Sequence, residues 1–394
     1  MVRAAVMPGP GMPVEVREFE DPVLEPGAVL LETIYSEVCG TDCHLHHGRL
    51  AGVPYPIIPG HVSVGRILEI AGQVADIEGV PFRVGETVGF LDVHETCGRC
   101  WYCLVAKAST RCPYRRVYGI TYSADDGLLG GWSERIYLKP GVRIVRLPDN
   151  VSPETYIAGG CGLPTAFHAV ERAAIRMADT VVIQGSGPVG LCATALARMS
   201  GAGTIVTIGA PELRLDLAAE FGADETVDVG HTSAEQRVEH VRDVTSGRGA
   251  DVVIEASGNP AAVVEGLAVT RDNGVYVIVG QYTDNGTVEI NPHTDINRKH
   301  VDIRGCWGLD FSHLYRAVAM LSRSVGRIPW EKTITKRYSL REAGEALRDV
   351  EELRVVKAVI EPSAVLSRRA YSTHLSPGVL PSSTARQNSP FALS

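Results

Sequence analysis

The sequence predicts an α/β protein of two lobes: a β-rich part, then a doubly wound parallel sheet flanked by helices. Three observations predict it. Residues 1 to about 157 read as short strands broken by Gly and Pro turns. From Ala158 to about residue 305, apolar strands alternate with helical stretches. A Gly-x-Gly-x-x-Gly string, Gly185 to Gly190, joins the first of those strands to the first of those helices.

In the first part, alternation marks Val29 to Ile34 and Val84 to Phe90, and Pro26-Gly27, Pro59-Gly60 and Pro140-Gly141 supply turns. In the second, Thr180 to Gln184 is a short apolar strand and Pro188 to Met199 a helix, a pair repeated by Thr204 to Ile208 and Pro211 to Phe221. Thr226 to Val229, a helix around Ala234 to Thr245, and the strands Asp251 to Glu255, Val275 to Val279 and Val301 to Arg304 continue the pattern. Buried strands alternating with helices make a parallel sheet. Residues 306–362 carry two helical stretches and a last strand, Val355 to Ile360, and are expected to return to the first lobe. Residues 363–394 are Ser-rich, with Pro377, Pro381 and Pro390, and are expected to form a flexible tail.

Composition narrows the function. At 394 residues, 45% hydrophobic and 21% charged, the chain has the balance of a globular protein with an ample core. A net charge of −8 and the absence of a Lys/Arg-rich run argue against nucleic acid as a partner. Met1 to Pro13 has three prolines and no long apolar stretch, so neither a leader nor a membrane span is expected there. Nine cysteines without a secretion signal point to reduced thiols, metal binding and a cytoplasmic location.

In the strand–loop–helix Val181-Val182-Ile183-Gln184-Gly185-Ser186-Gly187-Pro188-Val189-Gly190, each glycine has a task. Gly185 permits the tight turn, Gly187 lets the backbone approach a pyrophosphate, and Gly190 lets helix and strand pack closely. Pro188 suits the first helical turn, and the helix N-terminus offers free N–H groups to phosphate. The next strand ends in Gly209-Ala210-Pro211-Glu212, where NAD enzymes usually place an acidic ribose ligand. Gly209 has no carboxylate, and no Arg stands nearer than Arg214 to welcome a 2′-phosphate. Glu212 would repel that phosphate, so NAD is favoured and NADP stays open.

Cys97, Cys100, Cys103 and Cys112 are spaced to close around one zinc as a tetrahedral, structural site. Metal-ligand residue types also occur in Cys39-Gly40-Thr41-Asp42-Cys43-His44, in Pro59-Gly60-His61 and in Gly159-Gly160-Cys161-Gly162-Leu163-Pro164-Thr165. Cys39, His61 and Cys161 would make a three-ligand site with one position free, as catalytic zinc requires. Spacing alone equally allows buried cysteines acting as small apolar side chains and a histidine satisfied by backbone.

These motifs occur in the order found in the zinc-dependent medium-chain alcohol dehydrogenases, which the chain resembles over roughly residues 20–362. The resemblance implies a GroES-like catalytic domain (1–157, completed by 306–362), a Rossmann domain binding NAD(P) (158–305) and two zinc ions per chain. It implies Cys39, His61 and Cys161 as catalytic zinc ligands and Cys97, Cys100, Cys103 and Cys112 as structural ones. It assigns the substrate hydrogen bond to Thr41, the proton relay to His44 and the support of His61 to Asp42. Thr165, Val279 and Cys306 would border the cofactor with Gly185 to Gly190, Gly209 and Glu212, and Val93 and Trp307 the substrate. Homodimers or homotetramers joined through the Rossmann domain are expected. Two departures stand out: Val62 follows His61 where the family usually has Glu, and the gap from Cys103 to Cys112 is one residue longer. The implied reaction is reversible hydride transfer between an alcohol, or its aldehyde or ketone, and NAD(P). A polyol, amino-alcohol or functionalised-aldehyde dehydrogenase is the near alternative, and a non-catalytic zinc protein the distant one.

Overall fold

The computed structural model describes residues 1–363, so the expected tail lies, but for Ser363, outside the described residues. The first lobe carries β1 (Val2–Val6), β2 (Glu15–Phe19), β3 (Val29–Val38), α1 (Gly40–His46), β4 (Ser63–Ile70), β5 (Thr87–Phe90), β6 (Val93–Glu95), α2 (Trp101–Leu104), β7 (Arg116–Val117), β8 (Arg135–Leu138) and β9 (Ile144–Arg146). Two helices follow, α3 (Pro153–Gly159) and α4 (Gly162–Ala173). The second lobe runs β10 (Thr180–Gln184), α5 (Pro188–Met199), β11 (Thr204–Gly209), α6 (Glu212–Glu220), β12 (Glu225–Asp228), α7 (Ala234–Val244), β13 (Ala250–Glu255), α8 (Pro260–Val269), β14 (Thr270–Ile278) and β15 (Asp302–Gly305). The last elements among the described residues are α9 (Phe311–Ser324), β16 (Ile334–Tyr338), α10 (Ala343–Glu351) and β17 (Lys357–Ile360).

The second sheet is parallel throughout, in the order β12-β11-β10-β13-β14-β15. The order reverses between β10 and β13, and in doubly wound sheets the crevice beyond that reversal takes the ligand. β10 and β13 read as near-continuous apolar runs because both faces are covered by helices. The first lobe's main sheet runs β16-β17-β3-β4-β5-β9, with β8 also on β3. β17 lies antiparallel to β3, pairing Ala358 with Val38, and so joins the first lobe's main sheet.

Helices α3 and α4 are the elements the sequence concealed. Gly159, Gly160, Gly162 and Pro164 punctuate the stretch like a loop. In the structure Ser152 caps α3 by accepting from Thr155 N at 2.9 Å, and Gly160 breaks the chain with φ +48°. Pro164 falls in the first turn of α4, where a missing N–H forfeits no helical bond. Gly162 lets α4 sit against the start of α5, since a Cβ there would lie 2.9 Å from the Pro188 carbonyl. The break between the two helices is where Cys161 stands.

Candidate active site

The sequence motifs converge at the junction of the lobes. Cys39 follows β3 and is the N-cap of α1, where its backbone N–H donates to Asp42 Oδ2 at 2.9 Å. His61 stands two residues before β4. Cys39 Sγ lies 3.7 Å from His61 Nε2, and the donor atoms of Cys39, His61 and Cys161 all lie within 4.8 Å of one another. Ligands on a zinc tetrahedron stand about 3.5 Å (S to N) and about 3.8 Å (S to S) apart, given metal distances of about 2.3 and 2.1 Å. The trio therefore fits that ion.

Its electrostatics ask for a cation. The Cys161 thiol and Cys39 sulfur share a hydrogen bond, which holds Cys39 well below the usual thiol range and Cys161 well above it. Burial disfavours a charged His61, but the negative Cys39 and Asp42 outweigh it and lift its pKa to about 10. Asp42 is itself pushed well above the carboxylate range, first by burial and then by Cys39.

The four-cysteine loop also closes. Cys100 Sγ lies 3.5 Å from Cys103 Sγ and 4.0 Å from Cys112 Sγ, and all four sulfurs lie within 4.8 Å of one another. The Arg99 backbone N–H holds the Cys97 thiol at about 7, whereas desolvation and its neighbours push Cys103 up to about 12. Four thiolates coexist here only around a metal.

At the dinucleotide loop, Gly185 adopts φ +109° and a Cβ at Gly190 would fall 1.8 Å from the Gly185 carbonyl oxygen. A Cβ at Gly187 would meet only Arg214 Nη1, at 3.8 Å. Gly187 is the N-cap of α5 and makes no side-chain cap bond, so the helix's first N–H groups face an open cradle that suits phosphate. Gly209 is held close to this loop: a Cβ there would meet Ser186 Oγ at 2.3 Å. Glu212 starts α6 and is exposed, while Arg214 is buried with a 2.7 Å bond to the Val355 carbonyl. Val279 and Cys306 are both buried just past the ends of β14 and β15, and Cys306 N donates to Ile278 O at 2.9 Å.

Thr41 and His44 lie three residues apart on α1, hence on one helix face. His44 Nδ1 is 3.4 Å from Thr283 Oγ1 of the second lobe, and its ring centroid is 6.3 Å from that of Tyr282. Tyr282 stacks on Trp307 at 5.7 Å with planes 8° apart, and burial pushes its pKa up to about 12. Val93 lines a neighbouring cleft of about 630 Å³ with His94, Arg115 and Phe311, which none of the three metal-site residues borders. Cys43 turns away, its thiol towards the Leu347 carbonyl at 3.8 Å, and His47 pairs with Glu351 at 2.6 Å. Sequence reasoning overlooked Tyr282, Thr283, Glu37 and Lys357. The first two sit in an irregular loop after β14, and the last two look like ordinary strand residues.

The chain is similar to known proteins along most of its length. Residues 25–149 match the alcohol dehydrogenase GroES-like domain and residues 188–323 the zinc-binding dehydrogenase domain. The chain is 35% identical to 5-exo-hydroxycamphor dehydrogenase of Pseudomonas putida, over 91% of this chain and 98% of that one. It superposes on an alcohol dehydrogenase from Thermotoga maritima with a TM-score of 0.87 and 33% identity, covering 92% and 99% of the two chains. A Sinorhizobium meliloti chain solved with NADP bound gives a TM-score of 0.80 at 28% identity, covering 92% and 99%. The chain belongs to the zinc-dependent medium-chain alcohol dehydrogenases. It is a zinc- and NAD(P)-dependent oxidoreductase acting on alcohol groups. None of its described helices is long and apolar enough to cross a membrane.

Proposed function

We propose that this chain oxidises a small-molecule alcohol to its carbonyl, or the reverse, at Cys39, His61 and Cys161, with NAD in preference to NADP. The observation that carries this reading is the convergence of those three donors within 4.8 Å, from three distant segments, beside Thr41 and His44. The absence of an Arg at Gly209 and the acidic Glu212 favour NAD. Cys39, His61 and Cys161 would hold a zinc ion supplying Lewis acidity, and the Gly185 to Gly190 loop would hold a dinucleotide supplying hydride chemistry.

The remaining work falls to side chains. Thr41 accepts the hydrogen bond of the substrate hydroxyl and hands its proton outward along α1. His44 takes that proton: burial and the nearby Arg49 keep its pKa low, so a neutral imidazole stands ready near pH 7. Thr283 Oγ1, 3.4 Å away, orients the ring from across the junction. Tyr282 stacks on Trp307, and the Arg111 and Arg115 guanidiniums lie 5.3 Å from the Trp307 ring centroid, so this side of the site offers an aromatic edge with cations beside it to the substrate. Asp42 faces His61 Nδ1 and keeps its ring turned so that Nε2 points to the metal.

We also read the chain as a homo-oligomer joined through β15, the outer strand of the parallel sheet, whose far edge has no partner among the described residues. Nine free cysteines suit a reducing compartment such as the cytoplasm. The deciding experiment is Cys161→Ser. It should hold one zinc instead of two, stay folded and lose turnover on cyclic alcohols and polyols alike. A fully active variant with two zincs overturns the ligand assignment.

A further inference from the structure

Glu37 and Lys357 form an ion pair at 2.6 Å whose side chains are 1% and 0% exposed. A buried ion pair is a poor source of stability, because desolvating both charges offsets their attraction. This one lies directly behind the metal-site trio. Glu37 Oε2 accepts from Cys161 N at 2.8 Å, and Glu37 Oε1 lies 3.7 Å from Cys161 Sγ. Glu37 N donates to Val62 O at 3.0 Å, which sets residue 37 across the strands from the residue after His61. Glu37 also lies two residues before Cys39 in the chain. One carboxylate thus touches or adjoins all three ligand-bearing segments. Lys357 reaches it diagonally from β17, where Val359 is the direct partner of Glu37.

The backbone is shaped for the pair. A Cβ at Gly160 would lie 2.0 Å from Glu37 Oε2 and 2.3 Å from Lys357 Nζ, so only glycine before Cys161 leaves them room. The charges also close: two cysteine thiolates balance a divalent cation, and Lys357 balances Glu37. Val62 is apolar and packs against the large core cluster, so residue 62 offers no carboxylate. The neighbouring strand does.

We propose that Glu37 and Lys357 are positioning residues that fix Cys161 on the catalytic zinc and slow loss of that ion, with Glu37 supplying the carboxylate that position 62 lacks. This rests on the reading of Cys39, His61 and Cys161 as the catalytic zinc site. The test is zinc release from the fully loaded chain to a chromogenic chelator. The Cys161→Ser variant reports the four-cysteine zinc alone. Glu37→Gln keeps an acceptor for Cys161 N but removes the charge. It should release the catalytic zinc at least tenfold faster and leave the four-cysteine zinc at its wild-type rate. Adding Val62→Glu to that variant should restore most of the retention, and cobalt in place of zinc should show a shifted thiolate-to-metal band in Glu37→Gln alone.

Wild-type release rates in Glu37→Gln overturn the proposal, and acceleration without rescue by Val62→Glu overturns the substitution of position 37 for 62. If Glu37→Gln does not fold, the apolar double variant Glu37→Met with Lys357→Met removes both charges. Faster release there supports the proposal, and unchanged release overturns it. A wild-type chain that binds only one zinc fails the site reading itself before this comparison begins.

Discussion

Asp42 Oδ1 and His61 Nδ1 face each other at 4.0 Å, both buried, and neither atom has another hydrogen-bond partner. Buried polar groups left without a hydrogen bond are uncommon, and each calls for a physical reason. The arrangement makes sense if His61 presents Nε2 to a metal and draws in to Asp42 through Nδ1–H. In Asp42→Asn the amide oxygen can still accept from Cys39 N, but the NH2 group, a donor, then faces His61 Nδ1, so that nitrogen loses both the charge and the acceptor opposite it. The substitution should weaken zinc affinity or kcat/KM by roughly 10- to 100-fold, the range for such supporting partners. Competition with a chelator of known affinity measures the first and steady-state kinetics the second. An unchanged zinc affinity and rate would leave Asp42 with a purely structural role as partner of the Cys39 backbone.

Much of this was legible because the chemistry needs particular residues at short range. The cysteine loop and the Gly185 to Gly190 string carry their ligands or turns within one segment, so spacing alone exposes them. Strands β10, β11 and β13 show as apolar runs because both sheet faces are covered. The Cys39–His61–Cys161 trio is assembled over 122 residues of chain, and only family resemblance joined it beforehand. Helices α3 and α4 hid behind glycines whose role is close packing and the break at Cys161. Glu37 and Lys357 lie 320 positions apart and meet only through the antiparallel pairing of β3 with β17. No local pattern carries such a contact.

Two glycines of the dinucleotide loop should fail in opposite ways. At Gly190 a methyl group would fall 1.8 Å from a carbonyl oxygen of Gly185, so the helix must shift. Gly190→Ala should cost about 1–3 kcal/mol and lower the melting temperature. At Gly187 a methyl meets nothing nearer than 3.8 Å, and the space it enters is the proposed phosphate cradle. Gly187→Ala should melt within a few degrees of wild type yet raise the Kd for NAD at least tenfold. Thermal melts and fluorescence titration separate the two. A Gly187→Ala variant with unchanged Kd would place the pyrophosphate elsewhere.

The pH profile tests the proton path. Burial, then Arg49, lowers the pKa of His44 below the usual 6.5. A group with a lowered pKa takes its proton only when the pH falls past that value, so the imidazole is neutral from about pH 6.5 upward. The acid limb of kcat/KM for alcohol oxidation that belongs to His44 should therefore lie below pH 6.5. The same sign applies to stability: the folded state disfavours the protonated ring, so stability falls as pH drops below about 6.5. His44→Gln should lower oxidation on the order of 10²-fold, erase that limb and respond to added imidazole buffer. A full-rate variant with the same limb would assign the proton to another group.

The four-cysteine loop should behave as a detachable brace. Its sulfurs lie outside the three large apolar clusters, and Trp101, Leu104 and Val105 beside them are 62%, 54% and 64% exposed. Besides a metal, local backbone hydrogen bonds and the Arg111 and Arg115 guanidiniums over the Trp307 ring are what hold the turn between β6 and β7. With Cys100→Ser or Cys112→Ser, the zinc count should fall from two to one. The loop should then open to trypsin at Arg99, Lys107 and Arg111, which lie within or beside it. The far larger cores should keep the rest folded, with melting of both lobes still cooperative and the Cys39 site still loaded. Mass spectrometry of the tryptic fragments reads the opening, and metal analysis reads the count. Global unfolding on loss of this one ion would instead make the loop part of the folding core, since the metal's binding energy would then be supporting the whole chain rather than one turn of it.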